Sequence, residues 1–221
     1  MFTPRLDILP APQLKLWPEL VATPPAFTLY GGTAITLRLG HRASVDFDFF
    51  SPKPFTPSVL RDEVPYLHHS TLRQSAANTL TVSVERGGPV LLSYFGGLRL
   101  GQINAAEAVE GPAFAVASLL DLCGMKVAVV TQRAEEKDYL DIHALMKQAG
   151  FDLATMLAAA AFIYGDAFNP LIALKAISYH DDPALADLPT GIRKDLLAAV
   201  RATKLEALPR LTGIRPREAR P

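Results

Sequence analysis

Residues 28–50, TLYGGTAITLRLGHRASVDFDFF, combine two patterns that decide how the first half of the chain folds. In the first pattern, an apolar strand-like run ends at Gly31 and Gly32, and the helix-forming run AITLRL follows and ends at Gly40. We expect Thr33 to be the N-cap of this helix. Glycines allow backbone N–H groups to approach a ligand closely, and a helix N-terminus favours an anion. The pattern therefore predicts a phosphate-binding turn or, alternatively, a plain strand-to-helix turn.

The second pattern is SVDFDFF, in which aspartates alternate with apolar residues. In a strand, Asp46 and Asp48 would point to one face with Cα atoms roughly 6.6 Å apart. Mg²⁺ prefers oxygen ligands and usually takes one or two protein carboxylates, so the pair indicates a metal site or the solvated face of a strand. Arg42 and Ser44 lie between the two patterns, where they could donate to phosphate oxygens, although Arg42 could instead pair with an aspartate.

The composition excludes some classes of partner. The 221 residues include 22 Lys and Arg and 22 Asp and Glu, so a polyanion would need a local basic patch. No apolar run approaches the roughly 20 residues of a membrane span, and the N-terminus lacks the apolar core of a signal peptide. We therefore expect a cytoplasmic protein without a membrane partner. The single cysteine, Cys123, is expected to be a packed thiol.

The two halves of the chain differ in their hydrophobic patterns. Strands are predicted up to about residue 105, in AFTLY, SVDFDFF, TLTVSVE, PVLLSYF and LRLGQI, with a hairpin turn at Gly87 and Gly88. Helical periods follow, and Ser118 with Asp121 predicts a capping box. We predict an α+β fold with a small mixed sheet, flanking helices and an N-terminal helix over residues 1–105. Residues 106–221 are predicted to form a mostly helical C-terminal half.

Three segments carry a resemblance to a known family. YGGTAITLRLGHRASVDFDFF resembles the first motif of AbiEii/AbiGii-type nucleotidyltransferases, which are toxins of bacterial type IV toxin-antitoxin systems within the DNA polymerase β-like superfamily. SLLDLCGMKVAVVTQRAEEKDYLDIHALM resembles a later family segment, and ALKAISYHDDPA resembles the closing helix and acidic turn. The resemblance implies a nucleotidyltransferase-like fold over most of the chain.

The resemblance also implies roles for residues of the first motif. Gly31, Gly32 and Thr33 would hold the phosphates of an NTP, which is the nucleotide substrate. Asp46 and Asp48 would bind the Mg²⁺ or Mn²⁺ ion that bridges those phosphates.

The later segments supply three further candidates by the same resemblance. Lys126 and Lys137 would be positive groups near the nucleotide, and Asp138 would be a carboxylate of a later motif. Each has an alternative role: Lys126 could snorkel from an apolar helix, Lys137 could form a surface ion pair with Asp141, and Asp138 could complement a helix dipole.

One position departs from the pattern of the superfamily, whose members commonly bring a third carboxylate from a neighbouring strand. The polar residue of VLLSYF is Ser93, which cannot act as a base, and the nearest acid on the hairpin is Glu85. Either Glu85 or Asp138 substitutes, or water and the substrate accept the proton, or the domain binds nucleotide without transferring it.

The sequence thus predicts a metal-dependent nucleotidyltransferase, with a catalytically silent nucleotide-binding or partner-binding module as the alternative. D-x-D alone is also compatible with a metal-dependent phosphohydrolase. The acceptor could be RNA such as tRNA, a protein or a small molecule, and a cognate antitoxin would be a further partner. An RNA acceptor would need a basic patch, for which the candidates are Arg38, Arg42, Lys53, Arg133, Arg210, Arg215, Arg217 and Arg220.

Overall fold

The structure is a computed structural model that describes residues 1–112 and 114–215. It contains two compact units, of which the first comprises residues 1–99 and 106–117. The second comprises residues 100–105 and the residues from 118 onward. The first unit holds the strands and the second is helical, which confirms the predicted α+β class.

Over the described residues, seven strands form one mixed sheet in the first unit. From one edge of the sheet to the other, the strand order is β3, β4, β5, β2, β1, β7 and β6. Strand β2 is parallel to β5 and antiparallel to β1, and β1 is parallel to β7. The bounds are β1 (Thr28–Tyr30), β2 (Asp46–Phe50), β3 (Thr71–Ala76), β4 (Thr79–Glu85), β5 (Pro89–Phe95), β6 (Glu107–Ala108) and β7 (Ala115–Val116).

The helices of the first unit alternate with its strands along the chain, whereas those of the second unit follow one another without intervening strands. The first unit contains α1 (Ala11–Leu16), α2 (Gly31–Leu39) and α3 (Pro57–Glu63). The second unit contains α4 (Leu119–Val129), α5 (Glu136–Lys147), α6 (Leu153–Tyr164), α7 (Pro170–Ser178) and α8 (Thr190–Ala202). The described residues contain no helix that is long and apolar enough to span a membrane.

The predicted strands are mostly confirmed, and one is wrong. TLTVSVE and PVLLSYF are β4 and β5, and their turn has positive φ at Gly87 and Gly88. LRLGQI forms no strand, and only Gln102 makes an isolated bridge, with Ile214. The amide of Gly101 instead donates to the carbonyl of Ile163 near the end of α6 at 2.9 Å. This segment therefore pairs with a helix end rather than with the sheet.

One face of the sheet forms the core of the first unit. Phe47 and Phe49 of β2 are fully buried, and the ring of Phe49 lies 5.2 Å from those of Tyr94 and Phe114. Full burial of such a side chain contributes about 1.5–3 kcal/mol. A slip of one residue would bury the β2 aspartates in this core, so burial fixes the register of the strand.

Ser118 is the N-cap of α4, so the serine half of the predicted capping box is present, whereas the Asp121 carboxylate accepts from other groups. The hydroxyl of Ser118 accepts from the backbone N–H of Asp121 at 3.1 Å. The Asp121 carboxylate in turn accepts from the backbone N–H groups of Ile103 and Asn104, at 2.8 and 3.0 Å. The Asp121 carboxylate therefore fastens residues 103–104 to α4. Within α4, burial raises the pKa of Cys123, as expected for a packed thiol.

Candidate nucleotide and metal site

The register between β1 and β2 brings the glycine turn against the aspartate pair. Tyr30 pairs with Asp48 across the two strands, and the chain enters α2 directly afterwards at Gly31. Gly31 has a φ of +73°, and a Cβ atom at this position would lie 2.5 Å from Oδ2 of Asp48. Only glycine fits here, because a side chain would be strained and would strike the carboxylate. The structure thus places the two predicted patterns in contact.

The helix begins three residues earlier than predicted, at Gly31 rather than Ala34, so Thr33 is not its N-cap. Tyr30 takes that position, and Thr33 lies within the first turn of α2 with 1% of its surface exposed. Its hydroxyl lies 2.9 Å from Oγ of Ser44 and also contacts the backbone carbonyl of Asp46. Thr33 therefore fastens the loop before β2 to the start of the helix. Its predicted role in phosphate binding would fall to its backbone N–H.

Arg42 and Ser44 lie over the first turn of α2. A Cβ atom on Gly32 would overlap Nη2 of Arg42 and would be 3.2 Å from Oγ of Ser44. Arg42 also donates through Nη1 to the carbonyl of Ala43 at 2.8 Å. A guanidinium, a hydroxyl and a helix N-terminus are three features that favour phosphate oxygens, and here they lie together.

The two aspartates fit a divalent cation. Asp46 and Asp48 are both half-buried, and they share the face of β2 opposite to the buried phenylalanines. They supply carboxylate oxygens, which are the donors that Mg²⁺ prefers. No cluster of three or more His, Cys, Asp or Glu residues suited to a metal ion occurs within residues 1–112 and 114–215. The donor set is therefore a carboxylate pair.

The position beside this pair on the neighbouring strand holds Ser93, in register with Asp48. Glu85, the acid of the hairpin nearest to Ser93 in sequence, lies opposite Pro89 at the hairpin turn and accepts from the N–H of Gly88. Pro89 is four residues from Ser93, or roughly 13 Å along the strand. Glu85 therefore caps the turn and does not complete the carboxylate pair.

Lys126 and Asp138 belong to a buried ion cluster of the second unit. Nζ of Lys126 lies 2.7 Å from Oδ1 of Asp138 and 2.7 Å from Oδ2 of Asp141. Arg133 donates through Nε to the other oxygen of Asp138 at 2.9 Å. Both aspartates are fully buried and Lys126 is 7% exposed, so the alternative of a snorkelling lysine is wrong. The cluster joins α4 to α5.

Lys137 stands apart from this cluster. Its side chain is 46% exposed, and Nζ pairs with Glu135 at 2.9 Å. The alternative ion pair between Lys137 and Asp141 is therefore wrong. The buried role of Asp141 was missed, although its spacing from Asp138 places both acids on the helix face that carries Tyr139 and Ile142.

The candidate RNA-binding cations are not equivalent. Arg38 is a structural residue, because its guanidinium donates to the carbonyl of Ala117 at 2.9 Å and pairs with Glu107. Arg133 is engaged with Asp138, and Arg215 lies 5.0 Å from the ring of Phe162. Lys53 and Arg210 are exposed. Arg217 and Arg220 lie outside the described residues.

Two solved structures have a similar fold. The fold resembles that of MenT4, a nucleotidyltransferase toxin of Mycobacterium tuberculosis H37Rv, with a TM-score of 0.56 and 15% identity over 88% of this chain and 83% of MenT4. It also resembles a candidate nucleotidyltransferase from H. pylori, with a TM-score of 0.51 and 17% identity over 83% of this chain and 88% of the other. The fold is therefore that of nucleotidyltransferases.

The sequence gives the family. Residues 19–211 match the model of the nucleotidyl transferase AbiEii toxin family of type IV toxin-antitoxin systems. The chain belongs to this family, as the resemblance in the first motif indicated. An uncharacterized protein of Aquifex aeolicus (strain VF5) is 28% identical over 158 residues, which cover 71% of this chain and 74% of that protein.

Substituting the two glycines separately should show that a side chain destabilises the protein at Gly31, where φ is positive, and is tolerated at Gly32. We expect Gly31→Ala to lower the free energy of unfolding by about 1–3 kcal/mol, because alanine is strained at positive φ and its methyl group strikes Asp48. Gly32→Ala should change it by less than about 1 kcal/mol, since helical φ suits alanine and the flexible Arg42 side chain can move. Urea denaturation measures both, and equal destabilisation would contradict the described turn.

Removing the buried lysine should cost far more stability than removing an exposed one. Lys126→Met leaves the carboxylates of Asp138 and Asp141 buried with one cation fewer, which should cost about 3–5 kcal/mol. The matched control Lys137→Met breaks an exposed pair and should cost less than about 1 kcal/mol. Thermal and urea unfolding compare the two variants, and similar losses would show that the cluster is not buried as described.

Proposed function

We propose that this protein is a metal-dependent nucleotidyltransferase that transfers a nucleotide from an NTP to an acceptor hydroxyl. The observation that carries the proposal is the close approach of the Asp48 carboxylate to Gly31, where it leaves no room for a side chain. It puts a turn suited to phosphate beside a carboxylate pair suited to a cation. Membership of the AbiEii toxin family supports the transfer reaction over phosphate hydrolysis.

The N-terminal turn of α2 would hold the triphosphate. The backbone N–H groups of Gly32 and Thr33 lie at the positive end of the helix dipole, where an anion is favoured. Because Gly32 has no side chain, the guanidinium of Arg42 and the hydroxyl of Ser44 reach this turn and would donate to phosphate oxygens. Asp46 and Asp48, which lie beside this turn, would hold Mg²⁺ or Mn²⁺.

The reaction would form a bond between the acceptor oxygen and the α-phosphorus and break the bond from that phosphorus to the bridging oxygen. Pyrophosphate leaves with the electron pair of the broken bond. A bound divalent cation would stabilise the negative charge that builds up on the phosphates. The proposed role of the chain is chiefly to position these groups, with Arg42 helping to neutralise the leaving pyrophosphate.

The acceptor proton would pass to water. Ser93 has no basic group, Glu85 is committed to the hairpin turn, and Asp138 is held by Lys126 and Arg133. In this proposal, Lys126 and Asp138 act by fixing α5 against α4. Lys137 lies on α5, so this contact also fixes its position. Ser93 is also the observation that favours the second candidate, a module that binds nucleotide without transferring it.

We further propose that the acceptor hydroxyl belongs to RNA, such as tRNA, and that the partner which restrains the toxin is a cognate antitoxin in the cytoplasm. The name of the family supports a toxin with an antitoxin partner. The exposed cations Lys53 and Arg210 are available for RNA phosphates, whereas Arg38 is buried in a structural role.

Replacing either aspartate with asparagine should abolish transfer. We expect Asp46→Asn and Asp48→Asn to reduce transfer of the α-phosphate label from NTP to total RNA by roughly 100-fold or more, because the cation loses a ligand. The stabilisation of the protein by Mg²⁺-NTP should fall in both variants. Without ligand, each melting temperature should stay the same or rise, since two like charges no longer lie close together.

Asp62→Asn is the matched control, because Asp62 is an exposed acid of α3 that carries no proposed role. It should keep both the transfer and the stabilisation by Mg²⁺-NTP. An equal stabilisation in all three variants and the wild type would show that the aspartate pair does not bind the metal-nucleotide complex. Stabilisation without transfer to RNA, even in the wild type, would favour either the silent module or an acceptor other than RNA.

A further inference from the structure

The sheet row that contains Asp48 is otherwise uncharged. Asp48 is in register with Tyr30 on one side and with Ser93 on the other, and Ser93 is in register with Thr81 on the next strand. Partners in register point to the same face of a sheet, so the hydroxyls of Ser93 and Thr81 lie on the same face as the Asp48 carboxylate. They lie 3.4 Å apart.

The row that contains Asp46 is also uncharged. Asp46 is in register with Leu91, and Leu91 is in register with Ser83. The two rows therefore give this part of the sheet two carboxylates, and the side chains next to them on β5 are neutral.

Five other acids of the first unit are engaged away from β2, and the remaining two, Asp62 and Glu63, lie in α3. Glu19 pairs with Arg86 through both carboxylate oxygens, at 2.5 and 2.6 Å. Further acids are held by a hydrogen bond or an ion pair away from β2, namely Asp7 by Arg5, Glu85 by Gly88, Glu107 by Arg38 and Glu110 by Thr3. The absence of a metal-binding trio among the described residues agrees with this distribution.

We propose that the site binds a single divalent cation before the nucleotide arrives, and that the neutral Ser93 beside Asp48 limits it to one. This inference rests on the proposed function, which assigns Asp46 and Asp48 as the ligands. Two carboxylates neutralise one divalent charge, and a second cation about 4 Å away would be repelled without further negative groups. The positive charge of Arg42 near the turn opposes a second cation further.

The charge balance of the site sets the order of binding. Any second cation would enter with the phosphates of the substrate, since these supply the negative charge that the protein lacks. A carboxylate at position 93 would supply that charge from the protein, on a strand roughly 4.8 Å from β2. The identity of this one side chain therefore controls the affinity for metal in the absence of nucleotide.

Titration with Mn²⁺ tests the inference without nucleotide. The free ion is followed by electron paramagnetic resonance, because its signal is lost when it binds. We expect one Mn²⁺ per wild-type chain, and an affinity about tenfold or more higher in Ser93→Asp, which adds a charged ligand. Ser93→Asn controls for size, and Thr81→Asp adds the same charge one strand further away, about 9.6 Å from β2. Both controls should bind Mn²⁺ much as the wild type does.

Two results would overturn the inference: two equivalent ions on the wild type, or equal affinities for Ser93→Asp and Ser93→Asn. If Ser93→Asp does not fold, the number of ions on the wild type decides. Asp46→Asn and Asp48→Asn separate this inference from the proposed function. Unchanged Mn²⁺ binding in those variants would refute the metal site itself, whereas loss of binding with no effect of Ser93→Asp would refute only the role of Ser93.

Discussion

The antiparallel register of β1 against β2 is the constraint on which the candidate site depends. Because Tyr30 pairs with Asp48, the chain turns into α2 next to that carboxylate, at a residue where only glycine fits. The register is in turn fixed by Phe47 and Phe49, which fill the core from the other face of β2. Packing on one face of a strand thus determines which groups meet on the other.

The chain uses pairs of aspartates in two contrasting ways. Asp138 and Asp141 are fully buried and share Lys126, so their charges are neutralised within the second unit. Asp46 and Asp48 are half-buried, and their neighbours on β5 are a leucine and a serine. Buried carboxylates with a cation stabilise a particular packing, whereas a partly exposed pair on a strand face can be reached by a ligand.

Much of the first unit could be predicted from the sequence because its signals are local. Alternation in DFDFF and the glycine pair at the hairpin determine strand faces and turns without long-range information. Strand β3 escaped prediction because all six of its residues are exposed at the edge of the sheet and show no alternation. β6 and β7 contain two residues each, which is too short for any periodic pattern.

Errors at the candidate site have a common cause, which is that side chains found partners distant in sequence. Thr33 was expected to cap the helix, but its hydroxyl contacts Ser44, and the helix begins at Gly31. The alternative that Lys126 snorkels is wrong, because Lys126 lies between two buried carboxylates of α5. Spacing along the chain predicts such contacts only within one helix or strand, so contacts between elements required the structure.

The most direct test of the account is a crystal structure with Mn²⁺ and a non-hydrolysable NTP analogue, because anomalous scattering locates the metal independently of the protein. The account predicts a Mn²⁺ peak within coordination distance of both Asp46 and Asp48, with the triphosphate on the backbone N–H groups of Gly32 and Thr33. A nucleotide bound elsewhere, or a metal that touches neither aspartate, would contradict the claim that the glycine turn and the aspartate pair form one site.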